Sequence, residues 1–152
     1  MRNGVLLATI SLSFLSLAAA EDLPNVNGTW QIDMARSQGV EAKVKGMTLV
    51  FHQTGEEVSM TETITENDGK ERKLDLQCKT DGNRCKTKIG SASLWYDATA
   101  LLIMEERKNV VLRRRFQPSE DGKSLAVEIT QMAPPGQKPS TLAFVKQADA
   151  GQ

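Results

Sequence analysis

Between Gly46 and Phe144 apolar side chains recur at every second residue, in runs separated by Gly, Asn, Asp or Pro at regular intervals. A period of two marks strands with one buried face, because successive side chains on an extended chain point to opposite sides. Met47, Leu49 and Phe51 alternate with Thr48, Val50 and His52; after Thr54-Gly55-Glu56, Val58, Met60 and Ile64 alternate with Ser59, Thr61 and Thr63. Asn67-Asp68-Gly69-Lys70 makes the next turn, and Leu74 and Leu76 carry a strand to Cys78. A less regular stretch beyond Cys85 reaches Ser93-Leu94-Trp95-Tyr96, and Asp97-Ala98-Thr99 turns into Leu101-Leu102-Ile103-Met104-Glu105. That nearly continuous apolar run predicts a strand buried on both faces. Val110, Leu112, Arg114 and Phe116 then share one face, with Val111, Arg113 and Arg115 on the other, before a turn from Pro118 to Lys123. Leu125, Val127 and Ile129 follow, and beyond the loop from Ala133 to Pro139 the last strand carries Leu142 and Phe144. The pattern predicts an all-β fold of eight to ten strands with no long helix.

Consecutive hairpins leave two unpaired sheet edges unless the sheet closes, so an antiparallel up-and-down meander barrel is the expected architecture, with a two-sheet sandwich as the alternative. A barrel of about eight strands is just wide enough to hold packed side chains or one small ligand. The architecture therefore permits a pocket without requiring one.

The residues before this pattern have a different character. Arg2, an apolar stretch from Val5 to Leu17, and Ala18-Ala19-Ala20 ahead of an acidic pair have the form of a secretory signal peptide over residues 1–20. Its apolar core is shorter than the roughly 20 residues of a membrane span. Cleavage after Ala20 would leave residues 21–152 as a single domain, exported to the periplasm or the medium, with no membrane span. Removing Arg2 from a chain with 19 basic and 19 acidic residues leaves a charge close to −1. Such a balance supplies no long-range basic field for nucleic acid.

Export changes the reading of the two cysteines, Cys78 and Cys85, both in Gln77-Cys78-Lys79-Thr80-Asp81-Gly82-Asn83-Arg84-Cys85-Lys86. Redox or zinc chemistry would call for a C-x-x-C spacing or a second pair. Six intervening residues around Asp81-Gly82 instead suit two strands facing each other across a hairpin, and an oxidising compartment favours a Cys78–Cys85 disulfide. No metal and no cofactor is implied. His52 is the only histidine and lies opposite in phase to Phe51; no nucleophile motif accompanies it, so no catalytic role is assigned. The pairs Glu56-Glu57 and Glu105-Glu106 point to opposite faces of a strand and make no acid/base couple as they stand. Glu62, by contrast, follows Val58 and Met60 on the apolar face, and Arg114 shares the phase of Leu112 and Phe116. Paired inside a barrel, the two either orient an anionic ligand or satisfy each other.

The first strand opens Asn27-Gly28-Thr29-Trp30-Gln31-Ile32-Asp33. Gly28-Thr29-Trp30 resembles the GxW signature of lipocalins and related calycin barrels. With GTWQIDMARS, TLVFHQTGEEV, the turns Asp68-Gly69-Lys70 and Asp121-Gly122-Lys123, and SLAVEIT, the chain is similar to uncharacterised secreted bacterial lipocalin-like, calycin-type β-barrel proteins. The resemblance implies that Trp30 plugs one end of the barrel beneath a basic residue from a late strand, for which Arg115 and Lys146 are the candidates. It also implies a binding protein. The expected function is a non-enzymatic barrel that binds a small apolar or amphipathic molecule, with Trp30, Glu62 and Arg114 around the ligand. The alternative is a cell-envelope interaction module, an inhibitor or accessory subunit with a filled core, using loops or an exposed apolar edge at Leu94-Trp95-Tyr96.

Overall fold

The computed structural model describes residues 22–149, and the expected leader over residues 1–20 lies outside that range. The described residues form ten strands and no helix: β1 (Gly28–Gln38), β2 (Val44–Gln53), β3 (Glu57–Glu66), β4 (Glu71–Lys79), β5 (Arg84–Thr87), β6 (Gly90–Asp97), β7 (Ala100–Arg107), β8 (Val110–Pro118), β9 (Ser124–Ala133) and β10 (Ser140–Lys146). Each strand pairs antiparallel with its neighbour in sequence, and β10 returns to pair with β1. Only β4 and β5, consecutive in the chain, share no ladder. The period-two pattern thus yields the expected meander, a nearly closed antiparallel barrel.

The disulfide lies at that break. Cys78 and Cys85 are bonded with their Cα atoms 5.9 Å apart, but the loop between them is not the laddered hairpin that its spacing predicts. The Thr80 amide donates to the Glu56 carbonyl and the Gly82 amide to that of Leu94, so the loop is tied sideways to the β2–β3 turn and to β6. With β5 only four residues long, the disulfide and a Lys88–Asp75 ion pair at 3.7 Å fasten an otherwise open seam.

One half of the barrel is filled. Trp30, Phe51, Phe116 and Phe144 are fully buried together with Leu49, Met60, Leu94, Leu101 and Ile103, and Phe51 meets Phe116 edge-on with ring centroids 5.2 Å apart. Each such side chain contributes about 1.5–3 kcal/mol relative to exposure. Residues before β1 cap this end. Val26 is fully buried and accepts the Trp30 indole N–H through its carbonyl at 2.9 Å. The Gln53 side chain accepts from the Val26 amide and donates to the Pro24 carbonyl and to the Tyr96 hydroxyl.

Lys146, the register partner of Trp30, lays its ammonium 5.4 Å from the centre of the indole, within the range of cation–π attraction. Arg115, the other candidate, lies on the outer face and reaches Asp97 at 3.2 Å. The glycine of the triplet is required by its backbone, since Gly28 has φ 119°; a Cβ there would also stand 2.7 Å from Lys146 Cε and push the lysine aside.

One expectation holds in part and another changes. In β7, Ala100 to Ile103 are buried on both faces, Leu102 on the outer side being sheltered by its register partners Trp95 and Arg115, but that burial stops at Met104, which is only half-buried. Leu94-Trp95-Tyr96 does not form an exposed apolar edge, because Leu94 belongs to the core and its two neighbours are half-buried.

Candidate functional site

The other half of the barrel is open. There Met47 and Ile64 from β2 and β3 face Leu112, Ile129 and Leu142 from β8 to β10, around a cavity of about 510 Å³. The apolar alternation continues into this half, but its side chains are aliphatic. The aromatic rings lie in the filled half, so the space between opposite walls is not closed.

Three charged residues interrupt the inward pattern, two of them lining the cavity and the third bonded to that pair. Glu62 on β3 and Arg114 on β8 both line the cavity, at 6% and 4% exposure. Arg114 Nη1 donates to Glu62 Oε2 at 2.5 Å, so the pair legible in the strand phases is formed. The third interruption extends it. Glu105 on β7 is 4% exposed, and its Oε2 accepts from Arg114 Nη2 at 3.4 Å and from Arg107 Nη2 at 2.7 Å. Burial pulls the Arg114 guanidinium toward its neutral form, but Glu62 and then Glu105 outweigh that pull and raise its pKa above the ordinary arginine value. It stays a cation throughout the accessible pH range.

Strand phase by itself does not single out Glu105 and Arg107 as site residues, although their signal is present. Leu101, Ile103, Glu105 and Arg107 fall on one alternate phase of β7, so an inward Leu101 carries the two charges inward with it. Treating Glu105 only as half of the Glu105-Glu106 pair conceals this. Glu106 points outward to Arg84 at 2.7 Å.

Trp30 stands apart from this site. It is fully buried in the filled half and is not among the residues that line the cavity. His52 is exposed on β2, and among the described residues no three His, Cys, Asp or Glu side chains gather as metal ligands. Arg72, Lys73 and Lys138 stand with Glu41 at the mouth, which the loop after Ala133 flanks through Gln137. Arg72 is engaged by Glu66 at 2.9 Å.

No protein-family model matches the chain, and no curated protein matches it in sequence. Solved structures do match in shape. A Schistosoma mansoni fatty acid binding protein in complex with arachidonic acid superposes with a TM-score of 0.60 at 14% identity, over 80% of this chain and 96% of its own. The fluorescent protein UnaG gives 0.59 at 11% identity, over 80% and 97%. A secretory abundant heat soluble protein from Ramazzottius varieornatus gives 0.56 at 10% identity, over 85% and 100%. At such identities the likeness concerns the backbone, and it agrees with the strand order and the near-closed ring: the chain has the calycin β-barrel fold.

Proposed function

We propose that the protein is an exported, non-enzymatic binding protein that takes a small, partly apolar molecule into the open half of its barrel. The observation that carries this reading is the cavity of about 510 Å³ between aliphatic walls and a buried charged floor. Its size falls within the roughly 300–1,000 Å³ of small-molecule sites, and its lining, divided about equally between apolar and polar side chains, suits a molecule that is itself only partly apolar. The Schistosoma mansoni protein of the same fold holds arachidonic acid, which supports the same use of the space here. Glu62 and Arg114 border the ligand, while Trp30 acts at a distance by closing the opposite end. The leader pattern over residues 1–20 and the Cys78–Cys85 bond support export. A filled-core interaction module is less well supported, since half of the interior is open and Leu94-Trp95-Tyr96 offers no exposed apolar edge.

The reading is tested by solvent extraction and mass spectrometry of freshly purified protein, with titration of a solvatochromic apolar dye. Retained small molecules and saturable dye binding are expected. Ile129→Trp, which fills the cavity from β9, is expected to abolish dye binding while leaving the fold intact by circular dichroism. Dye binding undiminished in that variant, or absent from the wild type, would overturn the reading. Export predicts that the mass of protein recovered from the natural source corresponds to a chain beginning near Glu21.

A further inference from the structure

A cation inside an apolar cavity ordinarily invites a ligand carboxylate, but this one is already engaged. Both Nη atoms of Arg114 donate to protein carboxylates, Nη1 to Glu62 and Nη2 to Glu105, and Arg107 donates to Glu105 as well. Two guanidinium groups and two carboxylates make a floor of zero net charge. A ligand carboxylate arriving there would be a third anion in a buried cluster. It would have to displace Glu62 or Glu105 or stand uncompensated, and desolvation opposes both.

The hydrogen-bonding capacity left over points the same way. Glu105 Oε1, Arg114 Nε and Arg107 Nε are out of contact with solvent and have no hydrogen-bond partner; the first two lie 3.4 Å apart without the alignment of a hydrogen bond. Glu105 Oε1 and Arg114 Nε are thus held only by an unaligned charge contact, and Arg107 Nε has no partner. Glu105 and Arg107 also line a side space of about 10 Å³, the scale of a single small polar group, and Arg107, Leu74 and Ile89 wall both this space and the main cavity. A carboxylate can only accept, and would turn like charge toward Glu105 Oε1. A hydroxyl or a primary amide both donates and accepts.

We propose that the cavity selects an amphiphile whose buried polar end is uncharged, a hydroxyl or primary amide, over one ending in a carboxylate. This rests on the ligand-binding reading above and adds the chemical class of the ligand's head. Lys73 and Lys138 at the rim, which meet no carboxylate among the described residues, attract anions only through solvent. At about 0.15 M salt that attraction is screened over about 8 Å, and a contrast that persists as the salt is raised belongs to the floor.

The test uses delipidated protein and the matched probes dodecanol, dodecanamide and dodecanoate, each displacing the apolar dye at about pH 8, where the acid is ionised. Dodecanol and dodecanamide are expected to bind at least about tenfold more tightly than dodecanoate, a difference of about 1.4 kcal/mol. Dodecanoate binding as tightly or more tightly overturns the inference while leaving the cavity reading intact. Failure of the dye and all three probes overturns both. Glu62→Gln gives the floor one net positive charge, so the affinity of dodecanoate relative to dodecanol is expected to rise at least about tenfold. An unchanged ratio in a folded Glu62→Gln protein also overturns the inference, and the wild-type comparison decides the question by itself if that variant does not fold.

Discussion

Arg114 is held by two carboxylates that are, like it, almost wholly buried, and this arrangement is asymmetric in its consequences. Glu62→Leu removes the closer partner and leaves a buried guanidinium with one long hydrogen bond to Glu105. A loss of about 3–5 kcal/mol is expected, read as a lower urea midpoint. The pair itself is legible in the sequence, because strand phase puts Glu62 with Met60 and Arg114 with Phe116, and residues of one phase share a face. The extension to Glu105 and Arg107 is equally present in the phase of β7, but it needs the register Ile103↔Arg114 to bring the groups together. Phase is a local property, whereas register across strands is not. Gly90 shows a backbone requirement that phase does not reveal: its φ is 152°, and a Cβ would stand 2.0 Å from the Glu106 carbonyl oxygen. Gly90→Ala is expected to cost about 1–3 kcal/mol in the same unfolding assay, since the obstructing atom belongs to the backbone.

At the level of elements, the strands follow closely from alternation and turn chemistry, and what alternation misses lies at their ends. The less regular stretch after Cys85 resolves into the short β5 and a β6 whose first half alone pairs with it. The period is hard to read there because Ser91, Ala92 and Ser93 differ little in polarity. Turns are also where acid acts. Asp68, Asp81 and Asp121 accept hydrogen bonds within their turns: from the Lys70 amide, from the Asn83 amide, and from the Ser119 hydroxyl with the Lys123 amide. Asp33 and Asp75 likewise accept from Arg36 and Thr61. These bonds lower all five pKa values below the ordinary 3.8. A depressed folded pKa stabilises the fold above the unfolded value, and that contribution is lost as pH falls through the folded one. Stability measured by thermal melting is therefore expected to hold from neutral pH down to about 4 and to decline below it. The segment before β1 acts as an element although it is neither strand nor helix, because the Gln53 side chain binds it through two hydrogen bonds and is itself held by a third to the Tyr96 hydroxyl. Gln53→Ala is expected to loosen this cap at a cost of about 1–3 kcal/mol, with a red shift of tryptophan fluorescence as water reaches Trp30.

Across the whole molecule, an aromatic half gives rigidity and an aliphatic half leaves room, and a single covalent bond fastens the ring where hydrogen bonding stops. Closure into a barrel follows from the number of hairpins, but the position of the break does not, since it depends on where the Thr80 and Gly82 amides find their acceptors. Reduction of Cys78–Cys85 is expected to lower stability by about 2–3 kcal/mol, seen as a shift of the urea midpoint with reductant, and amide exchange is expected to quicken first along β4 and β5. At the capped end of the barrel the segment after β10 returns to the start of β1, where the Gln147 amide donates to the Thr29 carbonyl at 2.8 Å. A circular permutant that joins these two segments through a short flexible linker and opens between Gly82 and Asn83 would interrupt no ladder. Its chain would run from β5 through β10 and on from β1 to β4, so that order in sequence and order in the sheet become the same. The natural chain is such a ribbon entered at its middle, and its disulfide is the clasp that joins the ribbon's two edges.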